Sequence, residues 1–123
     1  MEFNQYNTTV QQWIHTVLEN RETNADVVLE CCRDIIAYGR ETDDPKLIGF
    51  GCFYGGEIYY GLNDGEHFFH MMTEALTYLD RAEEWELVVR CYNYLGIASM
   101  SRGNPSLALD YYMNGLKDSD TYD

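Results

Sequence analysis

A chain of 123 residues is long enough for one domain with one hydrophobic core and too short for two ordinary domains. Its 21 acidic residues outnumber 8 basic ones and give a net charge of −13, which repels phosphate backbones and anionic lipids. Nucleic acid and membrane partners are therefore not expected. If the charge does more than keep the protein in solution, it favours a basic or neutral protein or peptide.

The first residues show no targeting signal, and two helices are predicted between them and about Arg40. Residues 1–7 lack the basic patch and apolar run of a secretory signal, and no apolar run approaches the roughly 20 residues of a membrane span, so we expect a cytoplasmic protein. Thr8 or Thr9 can start a first helix, and Asn24 can cap a second one from Ala25 to about Arg40. Apolar residues follow three- and four-residue spacing in both: Val10, Trp13, Ile14, Val17 and Leu18, then Val28, Leu29, Cys32, Ile35 and Ile36.

Turn residues separate the next two predicted helices. Asp44 can cap a helix that begins at Pro45 and runs to about Leu62. Asn63-Asp64-Gly65 is typical of a turn, and a fourth helix follows from about Glu66 to Arg81. The apolar stripe of this fourth helix consists of Phe68, Phe69, Met72, Ala75, Leu76 and Leu79.

The last two predicted helices complete an all-α domain. One runs from Glu84 to Arg102 and stops at Gly103-Asn104, and the other opens at Pro105 and runs to about Lys117. No window shows the sustained alternation of a β-strand. The six helices are expected to form three antiparallel pairs, at about residues 8–40, 44–81 and 84–117 of one domain spanning 1–123.

A repeat supports this pairing. A shift of 40 residues aligns Leu47 with Leu87, Gly56 with Gly96 and Leu76 with Leu116, with no gap. The segment Tyr92-x-x-Leu95-Gly96-x-x-Ser99, followed by Ala108-x-x-x-Tyr112-x-x-Gly115, resembles the signature of tetratricopeptide (TPR) repeats. The resemblance implies a right-handed superhelix of helix pairs, with Gly96 and Ala108 at a close crossing. Because the family's usual period is about 34 residues, longer turns between pairs are expected.

Three further segments look like the helical N-terminal regions of GGDEF-type diguanylate cyclases and related bacterial signalling proteins. They are Gly61-Leu62-Asn63-Asp64-Gly65, Trp85-Glu86-Leu87 and Tyr94-Leu95-Gly96-Ile97. The GGDEF motif itself is absent, so the resemblance implies an input or docking domain and no cyclase activity.

The 11 tyrosines exceed what six helices need for their core, and they indicate a binding surface. In superhelical repeats the first helix of each pair lines the concave face, where the expected groove would bind a peptide or helix. Its residues on the helix from Pro45 are Phe50, Phe53, Tyr54, Glu57 and Tyr60, and those on the helix from Glu84 are Arg90, Asn93, Tyr94, Ile97 and Met100. Two alternatives remain open: half of these residues could be buried between repeats, or the groove could close around a small ligand.

The final helix carries an apolar stripe that nothing downstream in the sequence covers. Leu109, Tyr112, Met113 and Leu116 follow three- and four-residue spacing. An exposed stripe of this length predicts either a homodimer through this edge or a further repeat in a longer parent protein.

Three other patterns are assigned structural roles. The glycines between Gly49 and Gly56 resemble a dinucleotide-binding loop but lie inside a predicted helix, which favours close helix packing. His67, His70 and Glu74 could share a helix face, but nothing completes a metal site, and a metal-dependent enzyme is the least favoured hypothesis. We expect no catalysis and no cofactor, and we expect the four cysteines to be reduced, small apolar residues.

Overall fold

The computed structural model describes the backbone of residues 1–122 and the side chains of residues 1–117. Within this range it is all-helical and contains no strand, as predicted. The six helices are α1 (Thr8–Asn20), α2 (Ala25–Glu41), α3 (Pro45–Gly61), α4 (Gly65–Arg81), α5 (Trp85–Ser101) and α6 (Pro105–Tyr122). The predicted ends agree within one residue except in α6, which continues to Tyr122 because no glycine or proline follows Lys117.

The connections between helices are uniform and short. Helices α2 to α5 each have 17 residues, and three residues connect each of them to the next helix. The middle residue of each connection has a left-handed backbone: Asp43, Asn63, Glu83 and Gly103 have φ values of 54°, 60°, 58° and 76°. The expectation of longer turns between pairs is therefore wrong, since the extra residues of the 40-residue repeat lie within the helices.

Three of the four connections between α2 and α6 end one helix and start the next with the same pair of hydrogen bonds, and the connection at Glu84 lacks the side-chain bond. The Asp44 amide donates to the Gly39 carbonyl (2.8 Å), and the Asp44 carboxylate accepts from the Leu47 amide (3.2 Å). The first bond satisfies a free carbonyl at the end of α2, and the second satisfies a free amide at the start of α3. Asp64 repeats both bonds between α3 and α4, which explains why these residues predict the helix bounds so well.

Helix α3 is the centre of the core. Nearly every residue from Leu47 to Ile58 is buried, whereas α2 and α4 bury one stripe each. The most extensive helix contacts join α3 to α4, α5 to α6 and α2 to α3, and helices adjacent in the chain make the main contacts throughout. Because α2 and α4 cover α3 on both sides, this helix is apolar around its whole circumference rather than on one face.

Glycines allow the helices to approach closely, as the packing interpretation predicts. The segment Gly49–Gly56 lies inside α3, and a methyl group added to Gly51 would lie 2.6 Å from Ile36 of α2. The atoms nearest to Gly96 of α5 belong to the Tyr112 ring, at 2.6 Å from an added methyl group. The Tyr112 ring of α6 therefore packs directly over Gly96, as a close approach of α5 and α6 at this glycine requires. Ala108 is buried as well.

Among the described residues, no helix combines the length and apolar character needed to cross a bilayer. The four cysteines are free thiols, and Cys32, Cys52 and Cys91 are buried. Burial raises the pKa of the Cys52 thiol to about 12, with the nearby Glu74 carboxylate acting in the same direction. A thiol held in its protonated form is a poor nucleophile, which disfavours Cys52 as a reactive residue.

Candidate functional site

The Glu57 carboxylate on α3 is the centre of the candidate site. Arg21, at the end of α1, donates from Nε to Oε1 (2.9 Å) and from Nη2 to Oε2 (2.8 Å). This bidentate arrangement is the strongest geometry for an arginine–carboxylate pair. The Glu57 side chain retains only 13% of its exposure and that of Arg21 retains 28%, so the pair is largely shielded from solvent.

Helix α5 completes the cluster from the other side. Arg90 Nη2 lies 3.1 Å from Glu57 Oε2, and the Tyr94 hydroxyl donates to the same oxygen at 2.7 Å. Burial raises the pKa of Tyr94 well above its usual value, and the hydrogen bond to Glu57 and the Glu57 charge raise it further. We call Arg21, Glu57, Arg90 and Tyr94 the Glu57 cluster. It joins α1, α3 and α5, the first helices of the three predicted pairs.

Three of the expected groove residues form the core beneath this cluster. Phe50, Phe53 and Tyr54 are 1%, 0% and 6% exposed, and so they cannot contact a partner in this conformation. The Arg90 guanidinium lies 4.8 Å from the centre of the Phe53 ring, and the Arg21 guanidinium lies 5.0 Å from that of Tyr54. The open-groove assignment of these three residues is wrong, because α3 is packed on both sides and the stripe that carries them is buried.

The accessible part of the groove lies further along the same helices. Tyr60, Ile97 and Met100 are 39%, 43% and 54% exposed, and Asn93 is exposed as well. Tyr94 is half-buried, and its ring meets the Tyr60 ring edge-on at 5.3 Å. The structure thus brings Glu57 and Tyr60 of α3 together with Arg90 and Tyr94 of α5, whereas Asn93 lies beside Gly115 of α6. The exposed aromatic and apolar residues, Tyr60, Ile97 and Met100, lie towards the C-terminal ends of the two helices.

A cleft of about 430 Å³ adjoins this accessible surface, at the start of α4. The side chains that shape it are those of Tyr60, Asp64, Phe68, Phe69, Ser101 and Arg102. Sequence reasoning assigned Phe69 to the α4 core stripe and gave Arg102 no role. The Arg102 guanidinium lies 4.1 Å from the centre of the Phe69 ring, a contact between two separate repeats that no local spacing indicates.

The predicted edge of α6 is largely exposed. Leu109, Met113 and Leu116 are 60%, 59% and 65% exposed. Tyr112 differs, because it is half-buried over Gly96 and so belongs to the α5–α6 contact. A cavity of about 370 Å³ beside Leu116 is lined by Val89, Asn93, Tyr112 and Gly115.

The two histidines of the hypothetical metal site have separate partners. His67 Nδ1 lies 2.8 Å from Asp64, and its ring stacks on Tyr59 with 4.8 Å between ring centres. His70 Nε2 lies 3.7 Å from Glu74. In the part of the chain that the structure describes, no three side chains of the metal-binding types converge.

No protein-family model matches the chain, and neither curated proteins nor solved structures give a significant match. The TPR and GGDEF-associated resemblances therefore rest on the sequence motifs alone.

Proposed function

We propose that the chain is a TPR-like right-handed superhelix of three helix pairs and serves as a protein- or peptide-binding input module of a cytoplasmic signalling protein. The observation that carries this proposal is the open cleft beside the exposed Tyr60 ring, together with the exposed apolar side chains of Ile97 and Met100 on α5, the helix that lines one side of the cleft. Adjacent exposed apolar side chains on a folded domain are typical of a partner surface.

The chemistry of this surface favours an apolar peptide with basic or neutral flanks. Ile97, Met100 and the Tyr60 ring offer contact area, and the cleft can accept one large side chain of the partner. Arg21 and Arg90 are already paired with Glu57, and the chain as a whole has a net charge of −13, so a basic or neutral partner is favoured. Raised salt is accordingly expected to weaken the complex.

A small-ligand receptor is the second candidate, and the cleft volume favours it. About 430 Å³ falls within the range of small-molecule sites. The cleft is open to solvent, however, and an open cleft suits a peptide better than an enclosed metabolite.

Charge placed on the accessible surface should remove peptide binding. Peptides selected from a random phage-displayed library would be measured by fluorescence anisotropy against the natural chain and the double variant Ile97→Asp/Met100→Asp. We expect the double variant to bind at least about tenfold more weakly, because each aspartate would have to be desolvated against the apolar peptide. Leu109→Asp/Met113→Asp is the control with the same two charges, since both residues are at least as exposed but lie on α6. If the selected peptides bind the double variant as tightly as the natural chain, the binding surface lies elsewhere.

The α6 edge supports a second part of the proposal, which is self-association. Leu109, Met113 and Leu116 form an exposed apolar stripe, and we expect light scattering to report a dimer whose mass falls to that of a monomer in Met113→Glu. Met100→Glu is the control, because it adds the same charge at a similarly exposed position outside the stripe and should leave the dimer intact. A natural chain that is monomeric at high concentration would contradict the dimer.

A further inference from the structure

Residues 1–7 form a segment that is not helical and folds back over the start of α3. We call it the N-terminal segment. The Tyr6 amide donates to the Phe3 carbonyl (3.2 Å), which places two aromatic side chains, three positions apart, on the same side. The Phe3 ring meets the Phe50 ring edge-on, with 5.2 Å between ring centres, and the Tyr6 hydroxyl donates to Asp44 at 2.8 Å. Phe3 is thus one of the side chains that cover the buried Phe50.

The contacts of this segment are those of a bound peptide. Lys46 donates from Nζ to the Glu2 carbonyl, and Nζ lies 4.9 Å from the centre of the Phe3 ring and 3.8 Å from Glu84. Gln11 of α1 donates from Nε2 to the Tyr6 carbonyl at 2.7 Å. The surface therefore recognises two backbone carbonyls, one aromatic ring and one tyrosine hydroxyl, and it uses side chains of α1, of α3 and of the connection before α3.

Besides these groups, the segment is held at its end by Asn7, which caps α1 by accepting from the Val10 amide at 3.0 Å and donates to the Tyr38 hydroxyl at 3.4 Å. Phe3 and Tyr6 are half-buried, whereas Met1, Glu2, Asn4, Gln5 and Asn7 are exposed. A cavity of about 630 Å³ beside Phe3 continues along α1, past Gln11, Ile14 and Leu18. A short segment anchored by two side chains next to unfilled space can open at low cost while the helices stay folded.

We propose that the surface beneath the N-terminal segment, formed by α1 and the start of α3, is a docking site for a partner peptide with a phenylalanine or similar ring followed three positions later by a tyrosine. The N-terminal segment is the intramolecular competitor for this site. Its docked fraction lowers the apparent affinity of the partner peptide. The site lies at the opposite end of α3 from Tyr60 and does not rest on the function proposed above.

The test uses the full chain with its segment unable to dock. In the double variant Phe3→Ser/Tyr6→Ser, a peptide of residues 1–7, amidated and fluorescein-labelled at its C-terminal end, should bind at least about tenfold more tightly than to the natural chain. A peptide with both aromatic residues changed to serine should not bind. A peptide that keeps only the phenylalanine and tyrosine in a glycine–serine background should still bind. Ile97→Asp/Met100→Asp should leave this binding unchanged, which separates the site from the groove.

A double variant that remains helical by circular dichroism and binds the peptide no better than the natural chain would overturn the proposal. If the double variant loses its helices, hydrogen exchange of the natural chain decides. The Tyr6 amide should then exchange at least about a hundredfold faster than the amides in the middle of α3, because the segment opens without global unfolding. Equal exchange at both places would make the segment part of the cooperative core and would also overturn the proposal.

Discussion

Gly51→Ala is expected to lower the free energy of unfolding by about 1–3 kcal/mol, although alanine is the better helix former by about 1 kcal/mol. The added methyl group would lie 2.6 Å from Ile36 Cγ1 and 3.0 Å from the Cys32 carbonyl oxygen. The carbonyl belongs to the α2 backbone, and the β-branched Ile36 is stiff, so neither neighbour can move without shifting α2 from α3.

Gly61→Ala is the matched control and should have the opposite sign. Gly61 is the last residue of the same helix, and nothing lies within 4 Å of the position of an added methyl group. Alanine there restricts the unfolded chain without a clash, which stabilises by about 0.4–1 kcal/mol. Urea unfolding followed by circular dichroism would measure both variants.

The pair of variants separates packing from intrinsic propensity. If both alanines stabilise the protein by similar amounts, α2 and α3 are further apart than the structure places them. The packing interpretation of the segment Gly49–Gly56 would then lose its basis. If both destabilise it, Gly61 has a neighbour that the structure does not show.

Local signals determine the helix bounds, and for this reason the sequence predicts them well. Asn24, Asp44 and Asp64 each accept a hydrogen bond from an amide in the first turn of the following helix, so the chemistry that marks the boundary also makes it. The expectation of longer turns was wrong because it came from comparison with a family whose period is about 34 residues, although the predicted bounds already placed the extra residues in helices of about 17 residues.

The burial of α3 could not be read from its periodicity. Phe50, Phe53 and Tyr54 follow the three- and four-residue spacing that a surface stripe would also follow. Because α3 is apolar all round, no polar face marks which of its stripes is exposed. The covering of Phe50 comes partly from Phe3, a residue 47 positions away, and no local pattern carries that information.

The sequence predicts part of the Glu57 cluster. It is a lone carboxylate in the apolar middle of α3, and a buried carboxylate requires partners. Sequence analysis placed Glu57, Arg90 and Tyr94 on one surface but assigned them to a partner peptide. They bind one another instead. The fourth member, Arg21, lies just after α1, where no helical spacing relates it to α3.

Glu57→Gln should therefore destabilise the fold, by about 1.5–3 kcal/mol. Glutamine keeps the shape of the side chain but leaves the partly shielded Arg21 and Arg90 without a counter-charge. Glu74→Gln is the control: Glu74 pairs with Arg40 at 3.5 Å, and their side chains are 34% and 47% exposed. A pair that exposed contributes about 0–1 kcal/mol, so its loss should be small. Equal effects of the two variants in urea unfolding would mean that the Glu57 cluster does not join the helices.

The dependence of the free energy of unfolding on pH in the alkaline range tests the same cluster independently. The folded-state pKa of Tyr94 is raised, so the folded chain holds this proton more tightly than the unfolded chain. Its contribution to stability is thus complete below about pH 10, the usual pKa of tyrosine, and is lost as the pH rises further. Glu57→Gln removes the charge that opposes the phenolate, so Tyr94 should ionise at lower pH than in the natural chain. The ionisation of tyrosine is followed by difference absorbance near 295 nm, and the signal that is missing in Tyr94→Phe is the signal of Tyr94. An unchanged Tyr94 titration in Glu57→Gln would show that the two side chains do not interact.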